Sequence, residues 1–408
     1  MKVNRVEQCV IKKSHPAWKI IDQMCFNCKN FYNYANYILR QQYIKNKEYI
    51  PYSKMNFELK THQPYKDCMS VGANYVLRNL DKNWQSFFKG ILQYNKTQNK
   101  FLGEPKMPKY LKKDGRFNWC ISNASAYFDK ENGEVKFHVK RLQIAKWKSK
   151  CQGRLIQVRF IPRRYVYVME IVSQVEIADK PKKQNSRIIG IDLGVNNLAA
   201  TSNNVGLPYF IINGRGIKSI NRYFNKQRAN ILSTVIKRNG LRWCKKLDML
   251  TYKRFMKIKN YMHNTSSYII KWCLKNNIDT IVVGHNNNWK QDPKLNKRAS
   301  QNFVFIPYEM LIGQLKYKSE DNGIKFIETE ESYTSGTSFL DNELPIKDNY
   351  NYSRRIKRGL FKSNNGKLIN SDINGSLQII KKVFPNAFDY GIEGCPTPTI
   401  INAVKFTA

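Results

Sequence analysis

The sequence predicts a multidomain protein of the α/β class with an added β-barrel. Three observations support this fold class. The chain has 408 residues, enough for more than one hydrophobic core. Apolar residues recur at helical spacing in the first part, then at a period of two, and finally in short apolar runs that alternate with helical segments. The polar, lysine-rich segment 178–186 precedes the last of these patterns and is the best candidate for a linker.

The N-terminal part combines a helical region with a region of strands. Residues 16–48 and 70–96 are predicted to be helices, because their apolar residues recur every three or four positions. The segment 101–116, "FLGEPKMPKYLKKDGR", is predicted to be a basic loop, since its prolines and glycines interrupt any regular element. The pattern of residues 117–175 predicts strands, with a break at Pro162-Arg163-Arg164. We therefore expect a β-barrel built from residues 1–12 and 117–180, with a helical insertion at 13–116.

The C-terminal part, residues 186–408, begins with three strands and continues with a basic helical hairpin. Strands and helices then alternate to the end. This is the element order of the ribonuclease H-like fold. The predicted strands are 187–193, 197–202, 208–213, 280–284 and 324–330, and the predicted helices are the hairpin 217–276, 306–321 and one that starts near Ser371.

The charge balance predicts a polyanionic partner. Lysine and arginine number 70 against 30 aspartates and glutamates, which gives a net charge of +40. Such a surplus makes the compact state repel itself unless a polyanion neutralises it. No apolar run approaches the length that spans a bilayer, and the N-terminus has no apolar signal region. Nucleic acid is therefore the expected partner, and no membrane association is predicted.

The cysteines predict neither a disulfide framework nor a zinc site. Nine cysteines are scattered along the chain without the regular spacing of a disulfide framework, which is typical of a reducing, intracellular setting. Cys25 and Cys28 form the one close pair. A structural zinc site needs four ligands, and no second CxxC or CxxH motif completes one. We therefore interpret the pair as two small apolar residues on a helix.

Two aspartates are candidates for a metal site. Asp192 lies in the apolar strand "RIIGIDLGVNN", where an unpaired buried carboxylate would be costly. Asp372 begins the last helix, a position that the helix dipole alone can explain. Brought together on one sheet, the two suit a site for two Mg²⁺ ions, with Mn²⁺ as a substitute, that hydrolyses phosphodiesters. "GIDLG" also resembles the phosphate loop of actin- and chaperone-type ATPases, but "SDINGS" does not match their later D-x-G turn.

Several motifs resemble the TnpB (OrfB) family of insertion-sequence proteins, relatives of type V CRISPR effectors. They include "GIDLGVNNLAATS", "IVVGHNNNWKQ", "ETEESYTSGTSFLD", "RRIKRGLFKS" and "GKLINSDINGS", in the order found in the family, with "LDKNWQSFFKG" nearer the N-terminus. The resemblance implies an RNA-guided DNA endonuclease with one RuvC nuclease domain, located in the prokaryotic cytoplasm. Its partners would be a guide RNA from the end of the element and a double-stranded DNA target with a short adjacent motif. The barrel would be the wedge domain, residues 13–116 the recognition domain, and about 336–366 an insertion that binds the target strand.

The sequence departs from the common pattern of that family at two places. Most members carry paired CxxC motifs after "YTS", and their absence here removes the zinc ribbon. Most members also carry a glutamate where strand 280–284 ends, and Gly284 occupies that region in this chain. The next strand offers Glu328, Glu330 and Glu331. Relatives with a relocated acid carry it in an "E-x-YTS" context, which implies that Glu331 joins Asp192 and Asp372, with Glu330 as the alternative.

Two other functions share this sequence pattern. A relative that has lost a catalytic acid would bind DNA under RNA guidance without cutting it. A compact type V CRISPR effector would use the same chemistry with a CRISPR guide. His285 could be a metal ligand or a hydrogen-bonded histidine, and Trp289 could pack or stack on a base. The residues predicted to contact nucleic acid are Lys106, Lys109, Arg163, Arg164, Trp289, Lys290, Arg355 and Arg358.

Overall fold

A computed structural model describes most of the chain. The described residues are 2–163, 165–177, 187–240, 243–286, 305–357, 359–389 and 397–403. They form two compact units, Met1–Ala178 and Asp179–Ala408. The predicted linker at 178–186 lies outside the described residues, and the functional division into wedge, recognition and nuclease domains stays a prediction.

In its described residues the first unit joins four α-helices to six strands. Its helices are α1 (Trp18–Asn46), α2 (Tyr52–Leu59), α3 (Gln63–Lys66) and α4 (Ser70–Lys96). Its strands are β1 (Lys2–Ile11), β2 (Trp119–Ser122), β3 (Ala126–Asp129), β4 (Glu134–Phe137), β5 (Arg154–Arg163) and β6 (Val166–Glu176).

The long strands of this unit form an antiparallel sheet in the order β1-β6-β5-β2, and β3 and β4 form a separate hairpin. The predicted break at Pro162-Arg163-Arg164 falls slightly later in the structure, since β5 continues through Arg163 and β6 begins at Val166. Within the described residues the four-stranded sheet has two edges, β1 and β2. The closed barrel therefore stays a prediction.

Helices α1 and α4 pack together and supply much of the core of the first unit. The four-residue spacing of Val76, Leu80 and Trp84 places these side chains on one buried face of α4. The indole nitrogen of Trp84 donates to Asn36 Oδ1 at 3.1 Å, which satisfies both polar groups inside the core. Cys25 and Cys28 are fully buried on α1.

The second unit contains the α/β domain. Its strands are β7 (Ile188–Leu193), β8 (Asn197–Asn203), β9 (Phe210–Asn213), β10 (Thr280–Gly284), β11 (Lys325–Thr329), β12 (Leu360–Lys362), β13 (Leu368–Asn370) and β14 (Thr399–Ile401). Its helices are α5 (Arg215–Ile231), α6 (Lys245–Lys275), α7 (Tyr308–Asn322) and α8 (Ser371–Val383), with a π-helical stretch at Leu232–Lys237.

The main sheet of the second unit has the order β11-β10-β7-β8-β9-β14. Strands β7, β10 and β11 are parallel, and β8 is antiparallel to both of its neighbours. The order of the first five strands is that of the ribonuclease H-like fold, as the sequence predicted. The edge strand β14, which pairs parallel with β9, was missing from the prediction.

Helix α8 packs closely on the middle of this sheet. A Cβ atom at Gly190 of β7 would lie 2.3 Å from the carbonyl oxygen of Ser376, so only glycine allows this approach. The carboxyl ends of the parallel strands β7, β10 and β11 are thereby brought beside the start of α8. Among the residues that the structure describes, no helix is both long enough and apolar enough to cross a membrane.

Candidate functional site

Asp192 lies near the carboxyl end of β7 and faces helix α8. Its strand is held between β10 and β8, which fixes the backbone on both sides. A Cβ atom at Gly375 would lie 2.8 Å from Asp192 Oδ2, so the glycine makes room for the carboxylate against the helix. The side chain is only partly exposed.

Asp372 lies in the first turn of α8, and its side chain is fixed by neighbours. The side chain of Asn370 caps the helix by accepting hydrogen bonds from the backbone nitrogens of Asp372 and Ile373. Asn197 Nδ2 donates to Asp372 Oδ2 at 2.6 Å. The guanidinium of Arg355 lies 3.6 Å from Asp372 Oδ1 and donates to Ser371 Oγ at 3.1 Å. The carboxylate therefore has a defined position.

Glu331 follows β11, which ends at Thr329. Its backbone nitrogen donates to Asn286 Oδ1 at 3.0 Å, and Asn286 Nδ2 donates back to Glu331 Oε1 at 3.3 Å. The side chain reaches over Gly284, because a Cβ atom on that glycine would lie 3.2 Å from Glu331 Oε2. The same Cβ would lie 2.5 Å from Ile379 Cδ1. At the end of β10, where relatives are expected to carry an acid, the space is filled by Glu331 and Ile379.

The other two glutamates of this segment have different surroundings. Glu328 is exposed on β11. Glu330 is also exposed; its carboxylate accepts a hydrogen bond from Ser332 Oγ and lies 3.8 Å from Lys382 Nζ. Glu331 is past the end of the strand, so strand alternation does not set the direction of its side chain. Its orientation comes from the turn and from Asn286.

Asp192, Glu331 and Asp372 line one open cavity of about 610 Å³. Arg355 and Asn286 line it as well. The side chains and backbone that complete the wall are those of Leu193, Gly194, Ser332, Tyr333, Thr334, Ser335, Tyr350 and Ser371.

The carboxylates of the cavity repel one another. Burial raises the pKa of Asp192 well above its usual range, the negative charges of Glu331 and Asp372 raise it further, and Arg355 opposes them. Burial also raises the pKa of Glu331, to about 7, although the nearby Lys382 ammonium lowers it. Excess negative charge on hard oxygen donors is the environment that a divalent cation such as Mg²⁺ neutralises. Within the described ranges, however, no three His, Cys, Asp or Glu side chains converge closely enough to hold one metal ion.

The predicted nucleic-acid contacts fall into three groups. Arg355 lies in the cavity itself. Lys106, Lys109 and Arg163 are exposed in the first unit. Arg354, a neighbour of Arg355, is engaged instead in a two-pronged ion pair with Glu343, at 2.6 and 2.8 Å. Arg164, Trp289, Lys290 and Arg358 lie outside the described residues.

The basic loop 101–116 is attached to helix α1 through its backbone. Asn33 accepts a hydrogen bond from the backbone nitrogen of Leu111 at 2.7 Å and donates to its carbonyl oxygen at 2.9 Å. Asn36 and Arg40 both donate to the carbonyl oxygen of Pro108, at 3.0 and 2.9 Å. The loop backbone is fixed in this way, while the side chains of Lys106 and Lys109 remain exposed.

Sequence reasoning missed the residues that orient the acids. Asn197 directly contacts Asp372, and Asn286 directly contacts Glu331. Asn197 begins β8 and lies in the run "GVNN", and Asn286 follows β10 and lies in the run "GHNNN". Amide side chains beside a predicted carboxylate site are the signal that could have identified them.

The second unit thus contains a ribonuclease H-like α/β domain with three acidic residues around one cavity. Residues 168–290 match the family model OrfB_IS605, described as a probable transposase, and residues 308–379 match the model of the Cas12f1-like TNB domain. Over 398 residues the chain is 24% identical to the TnpB-like protein ORF457 of Acidianus two-tailed virus, a match that covers 86% of this chain and 80% of that one. Together these matches support assignment of the chain to the TnpB (OrfB) family, which confirms the resemblance.

Solved structures of type V effectors are also similar to this chain. The cryo-EM structure of the Cas12f1-sgRNA-target DNA complex is 16% identical in sequence. The match covers 92% of this chain and 98% of that chain, with a TM-score of 0.38. A CRISPR-Cas12f ternary complex matches with 14% identity, coverage of 88% and 80%, and a TM-score of 0.39. CasPhi-2 (Cas12j), bound to crRNA and phosphorothioate-DNA, matches with 8% identity, coverage of 93% and 91%, and a TM-score of 0.42.

Proposed function

We propose that this protein is an RNA-guided DNA endonuclease that hydrolyses target phosphodiesters in the cavity of Asp192, Glu331 and Asp372. Membership of the TnpB family supports a compact RNA-guided nuclease as the general class. The observation that carries the finer proposal is the position of Glu331. Its carboxylate fills the space over Gly284 and lines the same cavity as the two aspartates. A chain that had kept only two acids would favour DNA binding without cleavage.

The three carboxylates would hold two Mg²⁺ ions between them, since a two-metal site does not require all three acids to converge on one ion. When bound, such ions activate a water molecule and stabilise the leaving oxygen of a phosphodiester. The hydrogen bonds from Asn197 and Asn286 orient the carboxylates, as expected of residues that support metal ligands. Arg355, whose guanidinium lies beside Asp372, would contact the phosphate that enters the cavity.

The excess positive charge of the chain would bind the phosphates of the guide RNA and of the heteroduplex. In RNA-guided nucleases base pairing reads the target sequence, whereas the protein binds the backbone and shape of the heteroduplex. Exposed lysines on a fixed loop are appropriate for this task, because phosphate contacts need charge more than they need sequence information. We expect the guide to come from the end of the mobile element, and a short motif beside the target to be read by the protein.

The proposal is tested with the protein purified together with its bound RNA. Sequencing that RNA gives the guide and distinguishes an element-derived guide from a CRISPR guide. A plasmid library that carries the matching target should be cut in the presence of Mg²⁺ and left intact when EDTA is added. Asp192→Ala and Asp372→Ala should each abolish cutting and leave guided binding unchanged. Cleavage by either variant at close to the wild-type rate would remove that aspartate from the site. Cleavage in the presence of EDTA would refute the requirement for a metal ion.

A further inference from the structure

Two tyrosines lie at the same cavity as the three acids. Tyr333 and Tyr350 both line it, and each is 39% exposed. Their ring centroids are 5.9 Å apart and the ring planes meet at 73°, an edge-to-face arrangement. Neither ring is therefore buried in a core. The pair forms an aromatic surface beside the carboxylates.

The position of Tyr350 is fixed by a glycine. A Cβ atom at Gly336 would lie 2.5 Å from Cε2 of the Tyr350 ring, so the ring packs directly against that backbone. The two segments are also joined by a hydrogen bond from the backbone nitrogen of Asn351 to the carbonyl oxygen of Gly336, at 3.0 Å. One side of the Tyr350 ring is thus held by the protein.

The position of Tyr333 is maintained against a backbone preference. Its φ angle is +69°, in the left-handed region that bulky residues rarely adopt. The turn is stabilised by Thr334, whose hydroxyl donates to the carbonyl oxygen of Glu331 at 2.8 Å, and by Thr337, whose hydroxyl donates to that of Tyr333 at 3.0 Å. Strained residues of this kind cluster at sites of function. The turn that orients Glu331 also presents Tyr333.

We propose that Tyr333 and Tyr350 stack on an unpaired base next to the phosphodiester that is cut. This inference rests on the proposed function, because it assumes that a strand enters the cavity. Aromatic rings bind the face of any base, and that face is accessible only when the base has left its own stack. The tyrosines are positioning residues: they hold the nucleotide while the acids act on its phosphate. A strand that stays paired would not present a base to them.

The first test combines variants with a modified target. Tyr350→Leu keeps an apolar side chain against Gly336, and Tyr333→Asn suits a left-handed backbone; each removes an aromatic face. In single-turnover reactions of the guided complex, each variant should cut about 5- to 100-fold more slowly, as expected for the loss of one base–aromatic stack. An abasic nucleotide at the mapped cleavage position should slow the wild-type protein by a similar factor and leave the variants unchanged. An equal effect of the abasic nucleotide on all three proteins would overturn the proposal.

The second test does not depend on cleavage. Targets carry 5-iodouracil at successive positions around the predicted cut, and the complexes of Asp192→Ala are irradiated. A crosslink to Tyr333 or Tyr350, mapped by mass spectrometry, is expected at one or two positions. It should persist in Tyr352→Leu, a matched control whose side chain is 65% exposed in the same segment. Absence of any crosslink to the pair would overturn the stacking, whereas failure of the wild-type protein to cut would refute the proposed function alone.

Discussion

The acid cavity and the basic loop 101–116 use polar side chains in opposite ways. In the cavity, Asn197 and Asn286 donate to the carboxylates themselves, so the charged groups are held in place. At the loop, Asn33 and Asn36 bind the backbone, and the charged side chains are left exposed. The difference indicates what each region must fix. Bond cleavage requires atoms at defined positions, whereas phosphate binding requires only that enough positive charge lies near the strand.

This comparison predicts how the two regions respond to substitution. Each acid of the cavity occupies its own position, so its loss cannot be compensated by a neighbour. The loop lysines contribute in parallel, and the loss of one or two is partly covered by the rest of a chain with a net charge of +40. The expected effects therefore decrease from the carboxylates, through the residues that orient them, to the loop and its attachment.

The largest effect in this series is expected for Glu331→Gln. This change keeps the size and the contact with Asn286 but removes the charge, so cleavage should fall by roughly 10²- to 10³-fold or more, as for other groups that act directly on the reacting charge. Guided DNA binding should stay at the wild-type level, as measured by gel shift. Glu330→Gln is the matched control, because Glu330 is exposed and paired with Lys382. Loss of cleavage in Glu330→Gln with full activity in Glu331→Gln would transfer the role to Glu330.

Sequence reasoning predicted most of the architecture of the second unit, because strands with apolar runs and helices with regular apolar spacing are local patterns. It also singled out Asp192, whose position in an apolar strand is costly without a function. The short edge strand β14 could not be predicted, since it depends on a partner almost 190 residues away along the chain. The orientation of Glu331 likewise depends on a turn and on Asn286, neither of which has a period. The preference for Glu331 over Glu330 came from the family resemblance.

A smaller effect is expected for Asn197→Ala. The amide of Asn197 orients Asp372 through a 2.6 Å hydrogen bond but touches no reacting atom. Cleavage should fall by roughly 10- to 100-fold, the usual cost of losing a residue that supports a metal ligand. The concentration of Mg²⁺ that gives half-maximal rate should rise at the same time, which a purely structural defect would not cause. Asn203→Ala, on the same strand but bonded to Leu207, is the control for general damage to the sheet.

The basic loop should respond more weakly and in a different assay. The double variant Lys106→Ala with Lys109→Ala should weaken binding of RNA or of the heteroduplex several-fold at moderate salt. The slope of log affinity against log salt should flatten by roughly one to two, because about two phosphate contacts are lost. Lys54→Ala with Lys130→Ala removes the same charge from other exposed positions of the first unit and serves as the control. Equal losses in both double variants would mean that only the net charge matters.

The smallest effect concerns the anchor at the C-terminal end of the loop. Arg116 forms two bonds to Asp22, at 2.9 and 2.8 Å, and Tyr167 OH donates to Asp22 at 2.7 Å. Burial alone would raise the pKa of Asp22, but the hydrogen bonds from Arg116 and Tyr167 outweigh it and hold the pKa below the usual carboxyl value. A carboxyl with a lowered folded-state pKa stabilises the protein above its unfolded-state pKa, and this contribution is lost as the pH falls through the folded-state value.

The melting temperature of the purified protein should therefore decline in acid partly because Asp22 becomes protonated. Asp22→Asn should lower the melting temperature at neutral pH by a few degrees and make its decline below about pH 4 shallower, since one carboxyl no longer contributes. Glu58→Gln, at an exposed position on α2, should leave the acid limb unchanged. An unaltered acid limb in Asp22→Asn would mean that the anchor is not linked to unfolding. Cleavage at neutral pH should differ little between these variants, which separates the attachment of the loop from the chemistry of the cavity.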